Sequence, residues 1–299
     1  MNVFYIIMLI KHIVISGGGP TMIGSLGTIH HLVQEKLIDF QNIESIYGTS
    51  AGAIVGVLLC LNFDIETIYD YIIKRPWHQI FPISVQDILN AYTKKGIFDI
   101  KTIEKCFKPL FDAKDLSLEI TLKDFYDYSK IELHVYSFEI NDFKLEDISY
   151  LTHPELSLIQ AIHMSCSIPI LVTPLCFDGK CYIDGGIVCN YPLKYCVESG
   201  KDPNEILGVK NQFDHNKTNR IDSESTLLDF IMNFLFKSIY SLSIDLNQQS
   251  VENEIICDAK SVTINELKIS LSSIEKRIEL YNKGVEYSKQ FISKLKNSV

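Results

Sequence analysis

Three short glycine-centred segments constrain most strongly how this 299-residue chain can fold. These segments are Gly17–Gly19, Gly48–Gly52 and Asp184–Gly186. Each follows a short stretch with the composition of a β-strand. A strand-like stretch that ends at glycine predicts a tight turn. In open α/β sheets, functional residues gather at such turns, where strands end. We therefore expect the three segments to lie near one another at the edge of a sheet.

The middle segment predicts a serine nucleophile. Gly48–Gly52 (GTSAG) fits the pattern G-x-S-x-G, in which the serine sits on a sharp turn between a strand and a helix. Residues Ile43–Tyr47 are predicted to form the strand, and Ala51–Leu61 a buried helix rich in small residues. Ser50 is then at the N-terminus of that helix, where N–H groups and the helix dipole favour negative charge. Taken alone, the pattern fits an ordinary turn before a core helix equally well.

The first segment predicts a loop that binds an anion. Gly17–Gly19 follows the apolar run Ile13–Ser16 and precedes apolar residues at helical spacing from Leu26 to Leu37. A strand, a glycine loop and a helix in this order present bare N–H groups, and an oxyanion needs two of them. The phosphate-loop pattern is missing, and Met22 breaks the dinucleotide fingerprint. An ordinary strand-to-helix turn is the alternative.

The third segment supplies a candidate base. Lys180–Ile183 is predicted to be a strand, and it leads directly to Asp184. The dipeptide Asp-Gly is common in turns for purely structural reasons. A carboxylate at the end of a strand is also suitably placed to accept a proton from a serine elsewhere on the same edge of the sheet.

The three segments, in this order, resemble those of the patatin-like phospholipases and lipid acyl hydrolases. That family has a glycine-rich oxyanion loop, then G-x-S-x-G, then D-G-[GA], and it uses a Ser–Asp dyad without histidine. The resemblance implies that Ser50 is the nucleophile and Asp184 the base, and that the N–H groups of Gly17, Gly18 and Gly19 line the oxyanion hole. It also implies hydrolysis of fatty acyl esters of phospholipids or other glycerolipids, with no cofactor and no metal.

The resemblance extends over about residues 11–296. It implies a three-layer α/β/α fold with a mainly parallel central sheet. We expect a single catalytic domain over residues 8–296, preceded by an apolar extension, 1–7. The polar stretch 210–225 is predicted to be a surface loop, and 226–299 to form helices and a strand that pack on the same domain. An amphipathic helix beginning near Leu227 is expected to pack on the core. The further similar segments are Gly96–Asp99, Thr121–Phe125, Ala161–Pro174, Asn190–Pro192 and Ser272–Leu295.

The sequence departs from the family pattern at one position in the first segment. The family usually has G-G-G-x-[RK]-G, whereas Thr21 occupies the basic position here and Pro20 precedes it. The backbone donors of the glycines are unaffected by this change. A cation that could contact a phosphate headgroup or hold the loop is missing.

Charge and hydrophobicity limit the partners. The net charge of −9 argues against nucleic acid, which requires clustered Lys and Arg. We expect a lipid substrate at a membrane or lipid-droplet surface, approached through hydrophobic contact. The apolar run Val3–Ile10 is shorter than the roughly 20 residues of a spanning helix and lacks the features of a signal peptide. A cytoplasmic protein, peripheral on membranes, is therefore expected.

The cysteines and histidines indicate no metal site. The chain has eight cysteines but no C-x2-C pair, and its eight histidines form no H-x-H or H-E-x-x-H pattern. Without a secretion signal, we expect the cysteines to be reduced and packed as small apolar residues.

Two other functions remain open from the sequence. The first is a Ser–Asp–His α/β-hydrolase, for which His215 is the only histidine after Asp184. That fold normally places several strands before the nucleophile, and here only one strand–helix unit precedes it. The second is a non-catalytic relative that binds lipid or protein in the same pocket.

Overall fold

The computed structural model describes residues 9–213, 221–246, 249–259 and 264–297. The predicted apolar extension, residues 1–7, lies outside these ranges, as does His215. The strands are β1 (His12–Ile15), β2 (Ser45–Thr49), β3 (Gly96–Phe98), β4 (Glu132–Glu139), β5 (Lys144–Ile148), β6 (Ile170–Val172), β7 (Leu175–Phe177), β8 (Lys180–Asp184), β9 (Ile206–Phe213) and β10 (Glu254–Ala259). The α-helices are α1 (Met22–Gln34), α2 (Ala51–Cys60), α3 (Ile65–Lys74), α4 (Trp77–Ile80), α5 (Val85–Lys94), α6 (Ile100–Asp112), α7 (Leu122–Ser129), α8 (Leu158–Cys166), α9 (Leu193–Glu198), α10 (Leu227–Leu246), α11 (Ile264–Ser272) and α12 (Ile274–Asn297).

A mainly parallel sheet forms the centre of the molecule, in the strand order β10-β9-β1-β2-β4-β8-β7. The five strands from β10 to β4 run parallel to one another. Strand β8 pairs antiparallel with β4 and with β7, and β5 also pairs antiparallel with β4. The predicted α/β fold with a mainly parallel central sheet is therefore confirmed.

Apolar side chains cover both faces of this sheet. Successive side chains of a strand point to opposite faces, and in β1 the residues Ile13 and Ile15 join the larger core cluster whereas Val14 joins a smaller one. Helices α1, α2 and α12 contribute to the larger cluster. Helix α9 contributes Leu193 and Cys196 to the smaller one. The sheet is thus the middle of three layers.

Helix α12 packs closely against α1 because both helices carry glycine where they meet. A Cβ atom at Gly284 would collide with the backbone carbonyl group of Gly24, and one at Gly27 would collide with the backbone of Tyr281. The Thr28 hydroxyl adds a hydrogen bond of 3.0 Å to the carbonyl oxygen of Gly284. Helix α12, near the C-terminus, is therefore packed against and hydrogen-bonded to α1, which follows the first strand.

Two expectations about the C-terminal part were wrong in detail. Strand β9 continues to Phe213, so the first four residues of the predicted loop 210–225 belong to the sheet, where Lys210–Phe213 pair with β10. Residues 214–220 lie outside the described ranges. Helix α10 is present, but it does not bury the whole apolar face expected to pack on the core. Its residues Leu227 and Phe234 are exposed, whereas Met232 is buried.

The expectation that the cysteines are reduced was wrong for one pair, for which the less favoured alternative, a disulfide, holds. Cys176 and Cys181 form a disulfide, because the antiparallel register of β7 and β8 places them directly opposite each other. The turn Asp178-Gly179 between these strands is a local hairpin signal that could have revealed the pairing. The other six cysteines are free, and all of them except Cys106 are buried.

Because α1 and α12 are in close contact, we expect a glycine-to-alanine substitution there to lower the free energy of unfolding rather than raise it. Replacing a helical glycine by alanine normally stabilises a helix by about 1 kcal/mol. We expect Gly284→Ala instead to lower the free energy of unfolding by about 2 kcal/mol, since the added methyl group has no room. Urea denaturation measures the change. Asn282→Ala, an exposed substitution on the same helix, is the control and should be neutral or slightly stabilising. A Gly284→Ala protein as stable as the wild type would contradict the packing.

Candidate active site

Ser50 lies on a strained turn between β2 and α2, as the sequence predicted. Its backbone has φ 53° and ψ −123°, which is unfavourable for a residue with a side chain. The flanking glycines permit this turn. A Cβ atom at Gly48 would lie 2.7 Å from the nitrogen of Ala53, and one at Gly52 would lie 2.8 Å from the carbonyl oxygen of Ser16. Strain of this kind in a strand–turn–helix unit is typical of a nucleophile elbow.

Three hydrogen bonds hold the strained turn in place. The N–H group of Ser50 donates to the hydroxyl of Ser165 at 2.8 Å, and that hydroxyl donates to the carbonyl oxygen of Tyr136 at 2.6 Å. The hydroxyl of Thr49 donates to the carbonyl oxygen of Cys189 at 3.0 Å. Sequence reasoning did not single out Ser165, because a serine within an apolar helix carries no local signal of such a role.

The glycine loop lies directly against Ser50. A Cβ atom at Gly17 would lie 3.2 Å from the Cβ atom of Ser50. The N–H group of Gly17 already donates to the carbonyl oxygen of Asn190 at 3.0 Å, so it is not available to an oxyanion. The N–H groups of Gly18 and Gly19 donate no hydrogen bond to the described residues. Of the three predicted donors, these two are therefore free in the structure.

Asp184 brings a buried carboxyl group to the same place. Its Oδ1 atom accepts a hydrogen bond of 2.7 Å from the N–H group of Gly186, whereas Oδ2 has no hydrogen-bond partner. Burial raises the pKa of Asp184 to about 7, and the Ser50 hydroxyl and the Gly186 N–H group act against this rise. The Ser50 hydroxyl is thus close enough to influence the carboxyl group, although it does not donate a hydrogen bond to it in this structure.

A buried thiol completes the surroundings of this pair. Burial and the charge of Asp184 raise the pKa of Cys166, whereas the Ser50 hydroxyl lowers it. Cys166 is therefore a neighbour of both groups, and its thiol stays protonated near neutral pH.

Asn190 joins the glycine loop to the loop that follows Asp184. Its Oδ1 atom would lie 2.5 Å from a Cβ atom at Gly17 and 3.0 Å from one at Gly186. Its side-chain nitrogen also donates to the carbonyl oxygen of Gly17 at 3.3 Å. The sequence indicated Asn190 only through a resemblance, and the structure shows that it contacts both halves of the site.

No histidine in the described ranges forms a hydrogen bond with Ser50 or Asp184. His163, on the same helix as Ser165, is directed instead toward Thr173. The described residues also contain no group of three or more His, Cys, Asp and Glu side chains arranged to hold a metal ion. Among the helices described, none is both long and apolar enough to cross a membrane.

The buried carboxyl group of Asp184 is expected to lower the stability of the protein at neutral and higher pH. The pKa of Asp184 is about 7 in the folded protein against 3.8 for an ordinary aspartate, so folding opposes its ionisation. This cost is absent below pH 3.8, grows as the pH rises and is complete above pH 7. Asp184→Asn keeps an acceptor for the Gly186 N–H group and removes the charge. We expect it to raise the free energy of unfolding by about 3 kcal/mol more at pH 8 than at pH 5.

Urea denaturation of wild type and Asp184→Asn at the two pH values measures this difference. Asp142→Asn, which removes an exposed carboxylate, is the control for the loss of one negative charge. An Asp184→Asn protein that gains no stability at pH 8 relative to pH 5 would contradict the raised pKa.

Comparison with known sequences identifies a family and two relatives. Residues 13–197 match the family described as patatin-like phospholipase. A probable lipid hydrolase of Invertebrate iridescent virus 6 is 26% identical over 216 residues, covering 70% of this chain and 72% of the relative. An uncharacterized protein of Acanthamoeba polyphaga mimivirus is 25% identical over 300 residues, covering 96% of this chain and 95% of the relative.

A solved structure shows the same fold. The crystal structure of VipD from Legionella pneumophila is similar with a TM-score of 0.57 at 20% sequence identity, over 95% of this chain and 67% of VipD. Identity at this level shows a shared fold and no more. The family match spans more than half of this chain and includes both Ser50 and Asp184. The chain is therefore a member of the patatin-like phospholipase family.

Proposed function

We propose that this protein is a serine acyl hydrolase that cleaves fatty acyl esters of phospholipids or other glycerolipids. One observation carries the proposal: a serine on a strained elbow lies beside a buried carboxyl group that has a free oxygen atom and a pKa of about 7. A carboxylate with a pKa near the working pH is a more effective base than an ordinary aspartate. Family membership and the viral lipid hydrolase support a lipid ester as the substrate.

The first half of the proposed reaction acylates the enzyme. The Oγ atom of Ser50 attacks the ester carbonyl carbon while its proton passes to Oδ2 of Asp184, because Oδ1 is already engaged by Gly186. The N–H groups of Gly18 and Gly19 stabilise the negative charge on the carbonyl oxygen. Each such donor contributes on the order of 3 kcal/mol. The ester C–O bond then breaks, and the alcohol leaves with the proton held by Asp184.

The second half of the reaction releases the fatty acid. A water molecule gives its proton to the Asp184 carboxylate and attacks the acyl group on Ser50. The same two glycine N–H groups stabilise the second oxyanion. When the bond to Ser50 breaks, the serine oxygen recovers the proton, and the dyad returns to its starting state.

A labelling experiment tests the nucleophile. A fluorophosphonate probe should label the wild-type protein at Ser50 and leave Ser50→Ala unlabelled. Ser272→Ala, which removes an exposed serine, is the control and should be labelled like wild type. Incubation with mixed phospholipids and neutral glycerides, followed by mass spectrometry, should detect fatty acids released only by proteins with an intact Ser50. Labelling that persists in Ser50→Ala would remove the proposed nucleophile. Labelling without acyl release from any lipid would favour a relative that only binds lipid or protein.

The pH dependence tests the base. Since Asp184 must be ionised to accept the serine proton, kcat/KM should fall about tenfold per pH unit below an apparent pKa near 7. A soluble short-chain ester, assayed from pH 5 to pH 9, avoids effects of pH on lipid surfaces. Asp184→Asn should lose activity by orders of magnitude and remain folded by circular dichroism. Retention of activity in Asp184→Asn, or its loss in His215→Ala, would favour a serine hydrolase that uses histidine.

We also propose that the substrate lipid lies in a membrane or lipid-droplet surface that touches α10. This helix packs against the 3₁₀ turn Gly185–Ile187, which directly follows the base. Its side chains Leu227, Phe230 and Phe234 are 75%, 54% and 68% exposed. Their spacing of three and four residues places them on one face of the helix. An apolar face beside the catalytic base suits a surface that also delivers the substrate.

The effect of charge on this face tests the lipid contact. The double substitution Phe230→Asp/Phe234→Asp should lower hydrolysis of phospholipid vesicles at least tenfold and leave hydrolysis of a soluble ester unchanged, because only the first requires binding to a surface. Leu151→Asp, which places a charge at another exposed apolar position in the turn after β5, is the control. Equal activities of the double variant and wild type on vesicles would remove this helix from the proposed contact.

We further propose that residues 8–296 work as a single catalytic domain. The family match ends at residue 197, yet β9 and β10 extend the same sheet next to β1. Helix α12 packs on α1 from the other end of the chain. The C-terminal part therefore supplies strands and a helix to the layers that hold the dyad.

A further inference from the structure

The side chain of Asn211, near the end of β9, lies behind the glycine loop and is bonded to it. Its Nδ2 atom donates to the carbonyl oxygen of Gly17 and to the hydroxyl oxygen of Thr21, both at 3.0 Å. Its backbone N–H group donates to the hydroxyl of Ser16 at 3.0 Å. Asn211 is buried, so these bonds form with little competition from water.

Thr21 connects Asn211 to the next peptide group of the loop, the one between Gly18 and Gly19. Its hydroxyl receives the hydrogen bond from Asn211 and donates its own hydrogen to the carbonyl oxygen of Gly18 at 3.0 Å. The N–H group of Thr21 donates to the same oxygen at 3.3 Å. The carbonyl oxygen of Gly17 is therefore held by Asn211, together with the longer bond from Asn190 at 3.3 Å, and that of Gly18 is held by Thr21.

Peptide planarity turns these two contacts into a constraint on the oxyanion donors. The carbonyl group of one residue and the N–H group of the next belong to the same trans peptide plane and point in opposite directions. When Asn211 holds the carbonyl group of Gly17, it directs the N–H group of Gly18 to the other side of the loop. Thr21 does the same for the N–H group of Gly19. Ser50 packs against this loop through Gly17.

We propose that Thr21 and Asn211 form a clamp that aims the Gly18 and Gly19 N–H groups at the oxyanion. The clamp is needed because three consecutive glycines leave the backbone unusually free, and Gly18 adopts φ +153°. An oxyanion hole works only when its donors are in place before the charge develops. Thr21 stands where the family usually has a basic residue, so this chain holds the loop with neutral hydrogen bonds. Both are positioning residues, and the inference rests on the proposed function.

Isosteric substitutions test the clamp. Thr21→Val removes the hydroxyl, and Asn211→Asp removes the donor of Nδ2. Each should lower kcat for a soluble ester on the order of 10- to 100-fold with KM changed less than threefold, since the oxyanion forms only in the reaction. Thr21→Ser restores the hydroxyl and should recover most of the activity. The double variant should lose little more than either single one, because both act on one loop.

Thr28→Val is the matched control. Thr28 also donates to a glycine carbonyl group, that of Gly284, but it is fully buried and lies near the middle of α1, away from the loop. Its substitution should reduce the melting temperature and leave kcat unchanged. If Thr21→Val keeps kcat within threefold of wild type, or if Thr28→Val lowers kcat equally, the clamp has no specific role in the reaction.

NMR relaxation separates failure of the clamp from failure of the proposed function. In Thr21→Val, the backbone N–H order parameters of Gly18 and Gly19 should fall below those of wild type, whereas those of α2 should be unchanged. This readout does not depend on ester hydrolysis. A wild-type protein without Ser50-dependent turnover would overturn the proposed function, and the order parameters would still decide whether Thr21 holds the loop. Unchanged order parameters in Thr21→Val would overturn the clamp.

Discussion

The parallel pairing of β1 with β2 is the constraint on which the rest of the site depends. The register places Ile15 opposite Gly48, so the glycine loop and the nucleophile elbow leave the sheet at the same level. Helix α2 can begin this close to the end of β1 only because residue 52 is glycine, as a Cβ atom there would meet the carbonyl oxygens of Ile15 and Ser16. The contact between Gly17 and Ser50 follows from that approach. Without it, an oxyanion formed at Ser50 would be out of reach of the loop.

The proposed dyad of Ser50 and Asp184 combines two features that oppose folding. Ser50 has a positive φ, and Asp184 buries a carboxyl oxygen without a hydrogen-bond partner. Each feature costs free energy and persists only where the surrounding structure enforces it. Here Ser165 holds the elbow, and Asn190 connects the loops on either side. The same two features expose the hydroxyl for attack and raise the pKa of the base toward neutrality, so the cost in stability is inseparable from the proposed chemistry.

The C-terminal third of the chain contributes a side chain to the candidate site as well as strands and helices to the domain. Strand β9 pairs with β1 and thereby carries Asn211 to the back of the glycine loop. The loop itself has lost the cation usual in its family, and Thr21 now accepts a hydrogen bond there and donates another. Two neutral side chains, the buried Asn211 and the partly exposed Thr21, hold the loop here.

The sequence by itself determined the elbow at Ser50, the glycine loop and the turn at Asp184, because each is local: a positive φ or a close backbone approach restricts the neighbouring residue types. It also determined the α/β class through the order of strand, turn and helix. Only the tertiary structure decided that β8 runs antiparallel to its neighbours. Asp184, at the end of β8, still lies at the candidate site because it pairs with Ser137 of β4. Only the tertiary structure showed that the Gly17 N–H group is occupied, and that α10 leaves an apolar face exposed. The bonds from Ser50 to Ser165 and from Gly17 to Asn211 join residues 115 and 194 positions apart. Serine and asparagine are common residues, and contacts over such separations leave no periodic or spacing signal in one sequence.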